Sequence, residues 1–161
     1  MKFPLFAILV FSLLIAACSR SGSAVNNTEE PHSGLGEIML AVQMRHAKLW
    51  FAGSNQNWDL AKYELDEIKE SFEDVVTFHP THKGVPQPLA KLVSTIIIPA
   101  LDRVEKTIMA KNTKEFHSAF EGLVNSCNGC HEAATFGFNI IKKPETPPFS
   151  NQDFTPKTVE N

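Results

Sequence analysis

Two cysteines and a histidine stand together in the segment Cys127-Asn128-Gly129-Cys130-His131, which is the attachment pattern for a c-type haem. On a helix, residues three and four apart lie on the same face. Each thiol can therefore add to one vinyl group of a single porphyrin and form a thioether, while the imidazole of His131 ligates the iron. The small Asn128 and Gly129 let the backbone come close to the macrocycle. The sequence therefore predicts one covalent haem c at Cys127, Cys130 and His131.

Two other uses of a Cys-x-x-Cys pair are a redox dithiol and half of a zinc site. A redox dithiol usually opens a helix that follows a strand, whereas this pair closes a long helical pattern. A zinc site needs two further ligands, and the sequence has no second cluster of cysteine and histidine. Haem attachment is therefore the interpretation that fits the spacing best.

Residues 1–17 carry one basic residue, Lys2, followed by an apolar run that is shorter than the roughly 20 residues of a membrane-spanning helix. This pattern is typical of a secretory signal peptide. Its end, residues 14–18, resembles the bacterial lipobox, in which the cleavage site precedes a lipid-bearing cysteine. We expect lipidation of Cys18, and hence a protein anchored on the periplasmic side of a bacterial membrane. Ser19 favours the outer membrane by analogy with bacterial lipoproteins.

Lipid and haem together use all three cysteines of the chain, so that no structural disulfide is expected. Ordinary cleavage near Ala17 is the alternative, and it would leave Cys18 as an odd thiol. The formal net charge is −3 and there is no basic cluster, which argues against a nucleic-acid partner. There is also no Ser/His/Asp set, paired carboxylates or phosphate-binding loop, so we do not expect an enzyme.

The apolar pattern predicts an all-α fold. Residues 18–34 are polar and indicate a flexible tether, and residues 35–134 carry apolar residues at three- and four-residue steps. The predicted helices cover approximately residues 35–52, 57–79, 88–110 and 112–134. Asn57 or Asn55 can cap the second helix and Asn112 the fourth, and Pro99 should kink or break the third. Four such helices with short connections predict an up-down-up-down bundle.

The second predicted helix has a narrow apolar seam, and its charged residues are expected to face water. They are Lys62, Glu64, Asp66, Glu67, Lys69, Glu70, Glu73 and Asp74. Four histidines in or near loops, or early on the last helix, are also expected to be solvated. They are His32, His79, His82 and His117.

Residues 135–161 combine several prolines with four phenylalanines. Proline excludes a continuous helix, and aromatic residues are rare in disordered segments. We therefore expect an extended Pro/Phe-rich strap that packs over the bundle and covers part of the haem. The alternative is a tail that docks on a partner protein.

A Cys-x-x-Cys-His motif on the last of four helices resembles the class II cytochromes c, the cytochrome c′ group. The resemblance implies haem c in a left-handed bundle, with His131 as proximal ligand and a homodimer as a possible assembly. Some members leave the sixth position of the iron open and bind nitric oxide or carbon monoxide. Others place a methionine there and transfer electrons. The lipobox and the long tail depart from the family pattern.

Met39 is the residue that we expect to be the distal ligand, because it lies about one turn into the first helix, opposite His131, on the inward stripe. His46 is also on that stripe but roughly 10 Å further along; it would give a bis-histidine haem, or else pair with an oxygen of the second helix or of a haem propionate. Met44 is off the stripe, and an open sixth position is the remaining alternative.

A thioether opposite histidine stabilises ferrous iron and raises the reduction potential. The leading functional hypothesis is therefore an electron carrier that serves extracytoplasmic redox partner proteins while a lipid tethers it to the membrane. One alternative is a five-coordinate gas-binding or sensing module. Another is a haem subunit of a respiratory complex.

Overall fold

The computed structural model describes residues 32–147 and 149–157. The predicted signal peptide, Cys18 and the tether as far as residue 31 lie outside the described residues. Within the described part the chain forms helices and no strand, which confirms the predicted all-α class there. No helix in that part is both long enough and apolar enough to cross a membrane.

The helices closely follow the predicted ranges. They are α1 Leu35–Ser54, α2 Trp58–Phe78, the short α3 Leu89–Leu92, a π-helical segment Val93–Ile97, α4 Ile98–Met109 and α5 Thr113–Ala133. Local capping sets two of the starts: Asn57 accepts a hydrogen bond from the Leu60 amide, and Asn112 accepts one from the Glu115 amide. The first helix continues two residues beyond its predicted end.

The third predicted helix is not broken at Pro99 but continues through it with an irregular turn. Before the proline, the backbone widens into the π-helical segment, where the Ile98 amide bonds to the carbonyl of Val93 five residues back. Proline offers no amide and its ring crowds the carbonyl four residues earlier. A wider turn relieves this crowding while the helix continues into α4.

The helices pack around one core. α1 contacts α2 and α5, and α4 also contacts α2 and α5. Phe116 on α5 is fully buried and its ring neighbours those of Trp50, Trp58 and Phe120. Gly53 makes this packing possible, because a Cβ there would lie 2.2 Å from the Phe116 ring. The end of α1 can therefore rest directly on the aromatic cluster.

The prediction that Glu64 on α2 faces water is wrong, because this side chain is only 1% exposed. Arg45 Nη1 on α1 lies 3.0 Å from its carboxylate and Lys48 Nζ lies 3.9 Å from it. Arg45 also pairs with Glu67 at 2.7 Å. A buried carboxylate requires such partners, so this network fixes α1 against α2.

The chain after α5 turns back through Thr135, whose φ is 68°, and then lies against α1 and the start of α2. Phe154 is buried, and its ring centroid is 5.6 Å from that of Phe51. The Asn57 side chain donates a 3.1 Å hydrogen bond to the carbonyl of Thr155. The C-terminal segment thus adds side chains to the surface of the helical core.

Candidate haem site

Cys127, Cys130 and His131 lie in the last turns of α5, and all three line the same cavity of about 340 Å³. Cofactor and small-molecule sites typically have volumes of about 300–1,000 Å³. The structure thus brings the three motif residues together on one face, as helical spacing requires. Both cysteines are free and half-buried.

The rest of the cavity wall is mainly aliphatic and aromatic. α1 contributes Met39, Val42 and His46, while α2 contributes Phe72 and Val75. Further lining residues come from the α2–α3 loop, α3, the π-helical segment and the chain after α5: His82, Val85, Leu89, Val93, Ile97, Phe136, Asn139 and Ile141. A flat apolar macrocycle carrying an iron ion matches this lining, because the polar groups are few and lie among hydrophobic walls.

The imidazole of His131 is held in one orientation. Its Nδ1 lies 2.7 Å from the carbonyl oxygen of Asn139, and since a carbonyl can only accept, Nδ1 carries the hydrogen. In the neutral imidazole, Nε2 is then the nitrogen with the lone pair. Histidine ligands of metal ions typically donate their other ring N–H in this way, which fixes the tautomer.

Asn128, between the two cysteines, has a role that the sequence did not reveal. Its side-chain amide donates to the carbonyl of Ile141 at 3.0 Å and accepts from the Ile141 amide at 2.8 Å. Neither Asn128 nor Gly129 lines the cavity. Asn128 instead fastens the C-terminal segment beside the motif, so that Ile141 forms part of the cavity wall.

Burial sets the chemistry of the thiols. It raises the pKa of Cys127 to about 12, with a contribution from the neighbouring Cys130, and it also raises the pKa of Cys130. Redox-active cysteine pairs have depressed thiol pKa values, so this pair differs from a redox dithiol. Among the described residues, no three histidine, cysteine, aspartate or glutamate side chains converge as a metal site.

α1 and α5 run antiparallel where they touch. The ring centroids of His46 and Phe120 are 4.4 Å apart, and Ser54 Oγ lies 3.2 Å from His117 Nε2. Residues nearer the end of α1 therefore contact residues nearer the start of α5, as in an antiparallel pair.

This register places Met39 opposite the motif. Met39 precedes His46 by seven residues, and Cys127 follows Phe120 by seven, each a step of about 10 Å along a helix. Met39 therefore lies near the level of Cys127, and His46 lies about 10 Å deeper in the bundle. Met44 is 43% exposed and is not among the cavity residues.

His46 is the most unusual polar residue of the cavity wall. It is 5% exposed, and its Nε2 has no hydrogen-bond partner within the described part of the chain. Burial lowers the pKa of His46 to about 4, so the imidazole is neutral at physiological pH. The apolar stripe predicted that His46 faces inward, but it gave no indication that this nitrogen lacks a partner.

Two of the four histidines expected to be solvated are instead half-buried. His117 is hydrogen-bonded to Ser54 and its ring centroid is 4.7 Å from that of Trp50. His79 Nε2 lies 2.8 Å from the carbonyl of Ser33. These partners come from distant parts of the chain, so local sequence could not reveal them. His32 and His82 are exposed, and His82 lines the cavity.

Replacing Asn128 with alanine removes both bonds to Ile141. We expect a loss of about 1–2 kcal/mol of folding free energy, since a neutral hydrogen bond contributes about 1 kcal/mol. We also expect faster hydrogen exchange at the Ile141 amide. Urea unfolding and hydrogen exchange of the purified protein measure the two effects. Asn125→Ala, at an exposed position on the same helix, is the matched control, and equal protection of Ile141 in both variants would contradict the assignment.

Comparison with known proteins gave no matching family model, no matching curated protein and no matching solved structure.

Proposed function

We propose that the protein is a monohaem c-type cytochrome, with haem c bound covalently to Cys127 and Cys130 and His131 as the proximal ligand. The observation that carries this proposal is that the three side chains line one apolar cavity while the Nδ1 of His131 is engaged by Asn139. That bond leaves Nε2 as the nitrogen that can ligate the iron. The aliphatic walls would exclude water from the macrocycle.

Met39 is proposed as the distal ligand. Its position near the level of Cys127 supports this assignment, because the sulfur of Met39 then faces the motif across the cavity. A bound haem supplies a one-electron couple, and a methionine ligand favours its ferrous form. The chain holds both ligands on rigid helices, so that little needs to move between oxidation states.

Electron transfer between extracytoplasmic redox partner proteins is the activity that these features favour. We further propose that the helices form an up-down-up-down bundle and that the predicted strap, within its described residues 135–147 and 149–157, lies over it; the contacts of Phe154 and Ile141 support the strap. Lipidation of Cys18 would tether the carrier to the periplasmic side of a bacterial membrane, with the outer membrane favoured.

The test is the visible spectrum of the protein expressed with a haem-ligation apparatus. We expect a red protein whose haem survives acid–acetone extraction, with low-spin oxidised and reduced spectra and the weak far-red band of a thioether–ferric iron bond. Adding carbon monoxide to the reduced protein should leave the spectrum unchanged. Uptake of the gas would instead favour the five-coordinate gas-binding alternative, and a colourless protein would refute haem attachment.

A further inference from the structure

A second, smaller cavity adjoins the proposed haem cavity. It has a volume of about 280 Å³, and Gln43, His46 and Ile141 line both cavities. Lys142 and Lys143 line only the second one. The residues shared by the two cavities therefore include two polar side chains, and two lysines stand beyond them in the second cavity, whereas the walls of the first are mainly aliphatic.

His46 stands at this boundary with a nitrogen that needs a partner. Buried polar groups in folded proteins are nearly always hydrogen-bonded, and leaving one unpaired is costly. Nε2 of His46 is nevertheless unpaired within the described part of the chain. Since His46 lines the haem cavity, the group that fills this cavity can provide the missing partner.

The position of His46 determines which part of a haem it can reach. An iron held between His131 and Met39 lies near the level of Cys127, whereas His46 lies about 10 Å deeper. The imidazole therefore faces the periphery of the macrocycle and not the iron. That periphery is hydrocarbon apart from two propionate carboxylates, so a carboxylate is the chemical partner available to Nε2.

We propose that His46 donates a hydrogen bond from Nε2 to a haem propionate, and that this carboxylate occupies the boundary between the two cavities. The inference rests on the proposed function, because it needs haem attached at Cys127 and Cys130. His46 is then a positioning residue that fixes the edge of the macrocycle lying deeper in the bundle than Cys127.

The residues around the proposed carboxylate suit an anion better than the aliphatic walls of the haem cavity do. Burying a carboxylate is costly unless it is hydrogen-bonded or paired, and Gln43 with the two lysines can offset that cost. Lys143 Nζ lies 3.6 Å from Glu121 and 5.1 Å from the centre of the Trp50 ring. The pair with Glu121 is largely exposed, so the charge of Lys143 stays available to a second carboxylate.

The experiment compares His46→Leu, which removes the donor, with His46→Gln, which keeps an N–H donor, in the full-length haem-loaded protein. Resonance Raman spectroscopy reports the propionate bending mode, and urea unfolding reports stability. We expect His46→Leu to shift the propionate band and to lower the folding equilibrium constant about tenfold or more. His46→Gln should keep the propionate band near its wild-type position and retain most of the stability. All variants should keep the wild-type axial ligation. His117→Leu, a half-buried histidine outside both cavities, is the control and should leave the propionate band unchanged.

Two results would overturn the inference while leaving the proposed function intact. One is a change of axial ligation in His46→Leu, such as new binding of carbon monoxide, which would make His46 an iron ligand. The other is an unchanged propionate band in His46→Leu. A wild-type protein without covalent haem refutes the proposed function itself, and the inference with it, so the failures of the two proposals are distinguishable.

Discussion

The double variant Cys127→Ser, Cys130→Ser is expected to lose covalent haem completely. A serine hydroxyl does not form the thioether that a thiol forms with a porphyrin vinyl group, and the motif supplies both thiols that line the cavity. After expression with a haem-ligation apparatus, the chain should give no signal in a haem-stained denaturing gel. Intact mass spectrometry should find the mass of the polypeptide without that of one haem.

The single variants refine this expectation. With either Cys127→Ser or Cys130→Ser, one thioether can still form, so haem should remain attached at a lower yield. The reduced spectrum should shift to longer wavelength, because one vinyl group stays conjugated with the ring. Cys18→Ser is the matched control, since it removes the remaining cysteine of the chain and should lose lipid but keep haem. Haem staining of the double variant at the wild-type level would contradict the attachment site.

The sequence predicted the helices well because their signals are local. The asparagines before α2 and α5 cap the first amides of those helices through contacts only three residues apart. Apolar residues at helical spacing predicted which faces turn inward, and the burial of Ile38, Val42 and His46 follows that stripe. The three motif residues share a cavity because their separation fixes them on one helix face.

The supporting contacts of the site could not be predicted in this way. His131 meets the carbonyl of Asn139, and Asn128 meets the backbone of Ile141, only because the chain reverses after α5. Unlike a helix cap, an asparagine side chain that binds backbone thirteen residues away leaves no local pattern in the sequence. Glu64 is a similar case, since its burial depends on two cations from another helix. These features belong to tertiary packing, which overrides the local preference of a charged residue for water.

Phe116→Ala is expected to cause a large loss of stability. The side chain is fully buried, and truncating a buried phenylalanine to alanine costs about 3–5 kcal/mol. That is a large share of the roughly 5–15 kcal/mol that stabilises a typical domain. The site of the change is the cluster where α1, α2 and α5 meet, so the cavity that remains cannot be filled without moving a helix. Urea unfolding of the haem-loaded protein, monitored by far-ultraviolet circular dichroism, measures the effect.

Phe138→Ala is the matched control, because it removes the same atoms from a side chain that is 81% exposed. We expect it to change the folding free energy by no more than about 0.5 kcal/mol, as most surface substitutions do. The difference between the two variants isolates the contribution of burial from the chemistry of the substitution. Equal midpoints for both variants would mean that the contacts of Phe116 with Trp50, Trp58 and Phe120 do not hold the helices together. The rigid scaffold on which both proposed axial ligands depend would then have to rest on other parts of the core.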